Sequence, residues 1–509
     1  MFKKIAQVGF ATLFSRILGY FRDMLIAFHL GCGLYADAFF VAFKIPNLLR
    51  QLLGEGALSS SFIPVLSGQL KTESREKAAR TASYTFYLLL MLTASLVILG
   101  EIFTPAIVRI MAPGFAVNPQ KFLLTVKLTR IMMPILSFIS LAALATGMSN
   151  SLKYFFIPSA APALMNVSVI LFFMSGGSAV SLPVKGLSLA VLSGIFLEML
   201  LPFYGPLKEK LLNLRLIETP GRMLEEEGVH RMLLLFLPAT LGSAVYQINS
   251  FVDTICASFL EEGSVSALYY SLRLTHLPMA LFSISVITVF FPYLAESFAA
   301  KKEEEFRARI ERSLSYNFLF ILPATAGLYL LAPDIISLLF GRGRFTAEAV
   351  YMTSGVLRFY TLGLIFYSGA KTLSSVFYSL QDTRTPVKIA VGALVINIIL
   401  NLILMVPLRA RGLALATAIA SAVNCIYLSR ALYKKTGYLF SRNLLRKLSY
   451  SVIASLLLSS FLIFFPFETG SQILRFLMKI TGSVLIYFAA VFLLFKLDKR
   501  TGGLFSVRD

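Results

Sequence analysis

Basic side chains lie inside segments of the chain that are otherwise apolar. Five residues are placed in this way: Arg16, Arg22, Lys44, Arg50 and Arg273. If these segments cross a membrane, each basic side chain at the bilayer centre costs about 2.5–3.5 kcal/mol, and five facing lipid would cost on the order of 12–17 kcal/mol. We therefore expect these side chains to face a hydrated cavity or to form ion pairs within the protein.

Carboxylates near these basic residues could neutralise part of their charge. They are Asp23, Asp37 and Glu55. Asp23 follows Arg16 by seven residues, and Lys44 follows Asp37 at the same spacing. Residues seven apart lie on nearly the same face of a helix, so each pair could form an ion pair. Glu55 lies between two glycines, where a helix could be broken, and could pair with Arg50.

Five basic residues outnumber three acidic ones, so the group stays positive even with every carboxylate ionised. A cavity with surplus positive charge favours an anionic cargo. The planar guanidinium of arginine matches phosphate oxygens with two parallel hydrogen bonds. The alternative left open is that these residues form structural ion pairs or extend their charged ends to the membrane surface.

A second polar group lies further along the chain. It consists of Asp253, Asn397, Asn401 and Thr417. Asn397 and Asn401 are one helical turn apart and share a face. Oxygen-rich side chains suit a hard cation, so the group could bind one. Polar packing between helices is the alternative interpretation.

Residue arrangements typical of catalysis are missing from the sequence. Three histidines are scattered, and His276 lies one helical turn after Arg273, where it could line a cavity or serve packing. No P-loop and no acid–base or metal cluster occurs, so we expect a transporter and not an enzyme. The membrane potential supplies about 2.3 kcal/mol per charge per 100 mV, so it or an ion gradient could drive an anionic headgroup outward.

Membrane-spanning helices are the elements that would position these side chains. Hydrophobic residues make up 57% of the 509 residues and charged residues 14%. The apolar segments are about 20 residues long, enough to cross a hydrocarbon core as helices. We predict an all-α membrane protein with about 14 transmembrane helices. They lie near 4–29, 35–66, 83–110, 122–148, 156–176, 184–206, 231–259, 265–298, 313–339, 351–379, 386–407, 412–435, 444–466 and 473–497.

The net charge of +21 comes from lysines and arginines that cluster in alternate loops. By the positive-inside rule, both termini of this multi-pass protein are predicted to be cytoplasmic. No long hydrophilic domain carries the charge, so a nucleic-acid partner is not expected.

Short motifs recur in the two halves of the chain at an offset of about 230 residues. The sequence KGLSLA at 185–190, for example, has a counterpart in RGLALA at 411–416. We predict two six-helix lobes, 1–225 and 226–440, related by a pseudo-twofold axis along the membrane normal. Residues 441–509 would add two further helices and a cytoplasmic tail.

Several motifs along the whole chain resemble those of one transporter family. The two most specific are FSRILGYFRD at 14–23 and DAFFVAFKIPNLLR at 37–50. The others are GEGA at 54–57, APGF at 112–115, GSVS at 263–266, FYSLQD at 377–382 and TPVK at 385–388. With these motifs the chain is similar to the MurJ (MviN) lipid II flippases, within the multidrug/oligosaccharidyl-lipid/polysaccharide exporter superfamily.

The resemblance implies a cationic cavity between two lobes and a groove for the lipid tail beside the last two helices. It associates six positions with headgroup binding or transport: Arg16, Arg22, Asp37, Arg50, Glu55 and Arg273. It also implies a sodium site in some members at positions like Asp253, Asn397, Asn401 and Thr417. This sequence has Asn401 where the family pattern has a carboxylate.

The expected function is therefore a flippase in the bacterial cytoplasmic (inner) membrane. It would move lipid II, the undecaprenyl-diphosphate-linked peptidoglycan precursor, from the inner to the outer leaflet by alternating access. No cofactor besides a sodium ion is expected, and the protein is expected to act as a monomer among membrane lipids. An exporter of another lipid-linked oligosaccharide and a multidrug–cation antiporter are the alternatives.

Overall fold

Helices form along the apolar segments, and prolines, glycines and capping side chains set their ends. The structure is a computed structural model that describes residues 2–51, 57–177, 183–437, 441–465 and 471–500. Within these ranges, the side chains of 2–6, 57–60, 237–246 and 497–500 lie outside the description. Every regular element of the described residues is helical, which confirms the predicted all-α class.

The α-helices of the described chain are numbered in sequence order. They are α1 (Phe2–Leu30), α2 (Leu34–Arg50), α3 (Ala57–Thr72), α4 (Arg75–Met111), α5 (Pro119–Met132), α6 (Ile135–Ser151), α7 (Phe156–Ala160), α8 (Ala163–Met174), α9 (Pro183–Leu200), α10 (Tyr204–Lys208), α11 (Pro220–Glu225), α12 (Glu227–Ser258), α13 (Ser264–Pro278), α14 (Ile284–Ala299), α15 (Glu303–Leu330), α16 (Ala332–Phe340), α17 (Ala347–Ser379), α18 (Arg384–Leu408), α19 (Ala410–Thr436), α20 (Arg442–Phe464) and α21 (Gln472–Arg500).

Eleven helical segments of the described chain are long and apolar enough to cross a membrane. They are Arg75–Met111, Pro119–Ser151, Phe156–Met174, Pro183–Lys208, Ser264–Ala299, Glu303–Leu330, Ala347–Ser379, Arg384–Leu408, Ala410–Thr436, Arg442–Phe464 and Gln472–Lys496. α1, with 29 residues, is also long enough, but Arg16, Arg22 and Asp23 make it less apolar. The predicted count of about fourteen is therefore not confirmed.

Large apolar side chains point away from the protein along many of these helices. Val406 on α18 and Phe464 on α20 are each 79% exposed. In water, so much contiguous apolar surface would drive association, whereas lipid tails solvate it. The protein is therefore a multi-pass membrane protein.

Several predicted spans are divided or extended in the structure. The predicted helix 35–66 corresponds to α2 and α3, with residues 52–56 outside the described ranges. The span 122–148 is divided at Pro134, which has no N–H to donate to the preceding turn. In the span 265–298, a π-helical turn follows Pro278 directly. α4 begins before the predicted residue 83 because the Ser74 side chain accepts a hydrogen bond from Lys77 N and caps the helix.

The first of two compact units comprises Met1–Ser266 and Arg342–Phe345. Its core lies where α3, α4, α6 and α9 meet, and Phe62, Leu66 and Met148 are buried there. α1 packs on α8, α2 packs on α5, and α12 packs on α3 and α4. These helix pairs position Arg22 on α1 and Asp37 and Lys44 on α2.

The second unit comprises Ala267–Gly341 and Thr346–Asp509. α17 packs against α15 and α19 around buried Ile310, Phe377 and Leu428. α20 and α21 pack on each other and on α15, where the Tyr487 hydroxyl donates to Leu319 O at 2.5 Å. The lobes 1–225 and 226–440 were predicted from sequence repeats, whereas these units are defined by contacts between residues. The two lobes therefore stay a prediction.

Glycine permits the close approach of α17 and α19. A Cβ on Gly363 would lie 2.6 Å from Ala418 Cα, so Gly363→Ala would force the helices apart. We expect this substitution to lower the free energy of unfolding by about 1–3 kcal/mol. Thermal melting in detergent measures the effect. The control is Gly392→Ala on α18, where a Cβ meets nothing within 4 Å. A loss in Gly363→Ala no larger than in Gly392→Ala would contradict this role.

Asp382 joins the turn before α18 to the end of α19. Its carboxylate accepts hydrogen bonds from Thr385 N at 3.0 Å, the Thr385 hydroxyl at 2.7 Å and Lys435 Nζ at 2.8 Å. The bond from Lys435 and the bonds from Thr385 hold the pKa of Asp382 below its usual value of 3.8. Since the folded pKa is depressed, the ionised carboxylate stabilises the protein above pH 3.8, and that stabilisation is lost as the pH falls further.

We expect Asp382→Asn to lower the free energy of unfolding by about 0.2–1 kcal/mol at pH 7, because the amide oxygen can still accept from Thr385 N but the ion pair with Lys435 is lost. Because the wild-type carboxylate gains a proton in acid, the difference between the two proteins should shrink below pH 3.8. Melting curves at pH 7 and pH 3 measure this difference. A difference that stays constant with pH would rule out a role for the charge.

Candidate functional site

Asp37 is a buried carboxylate near the start of α2, and several groups donate hydrogen bonds to it. Lys121 Nζ on α5 lies 2.8 Å from Oδ2, and Gly263 N donates to the same oxygen at 2.9 Å. Oδ1 accepts from Ser266 N at 2.9 Å and from the Ser266 hydroxyl at 2.5 Å. A buried ion pair is stable only when further hydrogen bonds satisfy its atoms, and this one meets that condition.

The turn between α12 and α13 is shaped to deliver two of these donors. Gly263 has φ +91°, a conformation that favours glycine. A Cβ at this position would also lie 2.8 Å from Cys32 O. The GSVS motif at 263–266 therefore serves to bring backbone N–H groups to Asp37, and Asp37 fixes α2 to α5 and to this turn.

Lys44 does not form the predicted pair with Asp37. Its Nζ donates to Ser250 O at 2.7 Å and to the Thr254 hydroxyl at 2.5 Å, both on α12. Asp253, one residue before Thr254, is close enough to act on its charge. The predicted pair is therefore wrong: α5 and the turn at 263–266 supply the partners of Asp37, and α12 supplies those of Lys44.

Arg22 lies on α1 with its guanidinium buried against Asp23. Nε and Nη2 donate to Asp23 Oδ1 at 2.9 and 2.6 Å. Nη1 donates to Asn166 Oδ1 on α8 at 3.0 Å, and Asn166 Nδ2 donates back to Ser15 O on α1 at 3.0 Å. Asp23 thus pairs with its sequence neighbour, which the seven-residue spacing from Arg16 did not predict. The cluster fixes α1 to α8.

The other basic residues of the set are more accessible. Arg16 on α1 is exposed, and Arg50, the last residue of α2, is half-buried. A helix carboxyl end favours a positive side chain, so the position of Arg50 is compatible with a structural role as well. Glu55, the predicted partner of Arg50, lies outside the described residues.

Arg273 belongs to α13 in the second unit, where it is half-buried. His276 lies on the same helix, and both Arg273 and Lys371 of α17 are close enough to act on its charge. Within the second unit, Arg273 and Lys371 therefore form a basic group beside His276. An anionic headgroup could bind to it.

The predicted sodium ligands are divided between the units. Asp253 belongs to the first unit, whereas Asn397, Asn401 and Thr417 belong to the second. Asn401 Nδ2 donates to Asn397 Oδ1 at 3.0 Å, and Asn397 Nδ2 donates to the Thr417 hydroxyl at 3.3 Å. This chain of hydrogen bonds joins α18 to α19 and matches the polar-packing alternative. The described residues contain no group of three His, Cys, Asp or Glu side chains suited to a metal ion.

Sequence reasoning missed three polar residues that complete these clusters. They are Lys121, Asn166 and Lys371. Asn166 and Lys371 lie in segments that are otherwise apolar, and this is the signal by which the basic residues of the set were found. Lys121 shares α5 with Lys127 and Arg130, so the sequence gives no such signal for it. Lys371 stands out most, since α17 has few charged residues in its second half.

Comparison with known proteins assigns the chain to a family. The sequence model described as "Lipid II flippase MurJ" matches residues 26–481. A probable lipid II flippase MurJ of Buchnera aphidicola subsp. Acyrthosiphon pisum is 35% identical over 465 residues, which are 90% of this chain and 89% of the relative. A lipid II flippase MurJ of Burkholderia cenocepacia is 34% identical over 459 residues, with 90% and 89% covered.

Solved structures agree with this assignment. A lipid II flippase MurJ in an inward closed conformation superposes with a TM-score of 0.80 at 29% identity, covering 96% of this chain and 98% of that one. An inward-facing multidrug-resistance transporter of the MATE family and MOP superfamily gives a TM-score of 0.70 at 15% identity over 83% of this chain and 94% of that one, which shows a shared fold alone. The chain belongs to the MurJ lipid II flippase family.

Proposed function

We propose that this protein moves lipid II from the inner to the outer leaflet of the bacterial cytoplasmic membrane by alternating access. The observation that carries the proposal is the match to lipid II flippases over nearly the whole chain. The diphosphate of lipid II is an anion, and the basic side chains within the membrane-spanning region suit it. The protein changes no covalent bond and is a transporter, not an enzyme.

The six positions Arg16, Arg22, Asp37, Arg50, Glu55 and Arg273 are the proposed cargo site, but the contacts of the five that the structure describes point to different tasks. Arg16, Arg50 and Arg273 are exposed or half-buried and would donate hydrogen bonds to the headgroup. Asp37 is buried among its donors, so it acts as a positioning residue for α2 and the following turn.

Arg22 combines both tasks. In this conformation Asp23 accepts from two of its nitrogens, so binding a phosphate requires the guanidinium to turn away from Asp23. A cargo that binds one conformation more tightly than the other shifts the balance between them. Arg22 would therefore couple headgroup binding to the contact between α1 and α8.

Transport would be driven by the membrane potential or by an ion gradient. The potential alone supplies about 2.3 kcal/mol per charge per 100 mV. A sodium ion held by Asp253, Asn397, Asn401 and Thr417 stays a prediction, and binding would require the hydrogen bonds among the last three to rearrange. We further propose that both termini are cytoplasmic and that the protein works as a monomer among membrane lipids.

The test is the leaflet that holds lipid II in cells whose own flippase is depleted and replaced by this protein. Wild type is expected to restore outward exposure of lipid II, and Arg50→Ala and Arg273→Ala are expected to fail at equal membrane expression. Arg312→Gln, an exposed residue of α15, is the matched control. Lipid II that stays on the inner face with well-expressed wild type would refute the proposal and favour another lipid-linked oligosaccharide.

A further inference from the structure

A cavity of about 400 Å³ lies at one end of the second unit, and none of the residues assigned to the cargo lines it. It is formed by the end of α15, the start of α16 and the amino-terminal turns of α17 and α19. Its polar lining includes Arg358, Arg411, Tyr329, Tyr351 and Ser354. None of the lining residues, all within the described chain, is acidic. The cavity therefore carries two positive charges and no counter-charge.

The two arginines are stabilised neither by an ion pair nor by a helix dipole. Arg411 is the second residue of α19, where the positive end of the helix dipole disfavours a basic side chain. Neither Arg358 nor Arg411 has a salt-bridge partner among the described residues. Neither the helix dipole nor an ion pair therefore explains two arginines here, whereas an anionic ligand does.

Both guanidinium groups are held in place before any ligand binds. Arg411 lies over the Tyr351 ring at 4.6 Å, and Arg358 Nε donates to Tyr329 O at 3.3 Å. Gly355 makes room for the first of them, since a Cβ there would lie 2.4 Å from Arg411 Nε. Fixed guanidinium groups match phosphate oxygens without the entropic cost of ordering a flexible side chain.

An apolar stripe leads away from this cavity along α17. Arg358, Leu362 and Phe366 are spaced by four residues and so share one face of the helix. Leu362 is 43% exposed and Phe366 is 38% exposed, and together they extend about 12 Å beyond Arg358. A ligand with a charged head and an apolar chain fits both parts, whereas a free anion fits only the first.

We propose that this cavity binds the phosphate headgroup of an anionic phospholipid, with an acyl chain lying along Leu362 and Phe366. The predicted orientation puts this end of the unit at the outer leaflet, because the other end of α15 follows a basic loop. The inference concerns a membrane lipid and not the transported cargo, so it holds or fails independently of the flippase proposal.

The test is native mass spectrometry of the purified full-length protein titrated with phosphatidylglycerol or with phosphatidylcholine of identical acyl chains. Wild type is expected to bind one molecule of phosphatidylglycerol with a higher affinity than it has for phosphatidylcholine. Losing one charged hydrogen-bond donor weakens such binding by about tenfold or more, and this is expected for Arg358→Gln and for Arg411→Gln. Arg312→Gln removes an equal charge from the other end of α15 and should bind like wild type.

Gly355→Ala is the second test, because it displaces Arg411 without changing the charge and favours the helix. It too is expected to weaken phosphatidylglycerol binding. Unchanged affinity in both arginine variants would overturn the proposal. Full displacement by an equal concentration of inorganic phosphate would overturn the lipid assignment. Tighter binding of a polyprenyl diphosphate than of phosphatidylglycerol would reassign the cavity to the cargo.

Discussion

Asp37→Ala is expected to lower the free energy of unfolding by about 3–5 kcal/mol, the usual cost of removing one member of a buried ion pair. The substitution leaves Lys121 buried without its carboxylate and removes the acceptor of three donors on Gly263 and Ser266. Unfolding can be followed in detergent with a thiol-reactive dye, since Cys32, Cys256 and Cys425 are free.

A second variant separates the charge from the packing. In the double variant Asp37→Ala with Lys121→Met, no lone charge is buried, so it is expected to melt at a higher temperature than Asp37→Ala. The stability that the double variant still lacks relative to wild type would measure the loss of the hydrogen bonds between Asp37 and the turn at 263–266. An Asp37→Ala protein within about 1 kcal/mol of wild type would mean that the cluster does not hold α2, because such a small effect is typical of surface pairs.

Arg22→Ala is expected to destabilise the protein by a similar amount, about 3–5 kcal/mol. Asp23 would stay fully buried without the guanidinium from which it accepts hydrogen bonds. Asn166 would also lose the hydrogen bond that Arg22 donates to its Oδ1. Arg22→Lys keeps the charge but not the two-sided hydrogen bonding, so its stability should lie between those of wild type and Arg22→Ala.

The matched control for Arg22 is Arg75→Ala. Arg75 forms an ion pair with Glu209 at 2.8 Å at the protein surface. Exposed pairs contribute about 0–1 kcal/mol, so this variant should melt close to wild type. Equal melting temperatures for Arg22→Ala and Arg75→Ala would contradict the role of Arg22 in joining α1 to α8. Lower lipid II exposure in a stably folded Arg22→Lys would indicate that Arg22 also touches the cargo.

The helices could be predicted from the sequence because their signal is local. A helix such as α18 follows from a run of apolar residues between basic and polar ends. The break at Pro134 follows from the missing N–H of proline. α18 instead continues through Pro407 and ends at Leu408, before Arg409 with φ +51°. Counting the spans was harder, since α1 has charged residues within its length and α2 ends at Arg50 after 17 residues.

The partners of the buried charges could not be predicted in this way. Spacing on one helix predicted a Lys44–Asp37 pair, but the lysine that reaches Asp37 is 84 residues away in sequence. Its backbone donors on Gly263 and Ser266 are 226 and 229 residues away. Such contacts depend on which helices pack together, and a single sequence does not contain that information. Only the presence of costly charges in apolar segments marked these positions.

The basic cavity of the second unit could not be predicted from the sequence for a related reason. Arg411 lies close to a helix end, within the RGLALA repeat at 411–416, and Arg358 is one charge in a long helix. What makes them a site is their shared cavity with Tyr329 and Tyr351, which tertiary packing creates.

Flipping of lipid II by the purified protein in vesicles tests the central claim most directly. Lipid II with a labelled headgroup would be placed in one leaflet, a membrane potential imposed, and its arrival in the other leaflet followed with a membrane-impermeant quencher. Wild type and Arg312→Gln are expected to move the label at the same rate. Arg50→Ala and Arg273→Ala should be slower by about tenfold or more, the effect of one lost charged hydrogen bond. Movement no faster with folded wild-type protein than in protein-free vesicles would contradict the account.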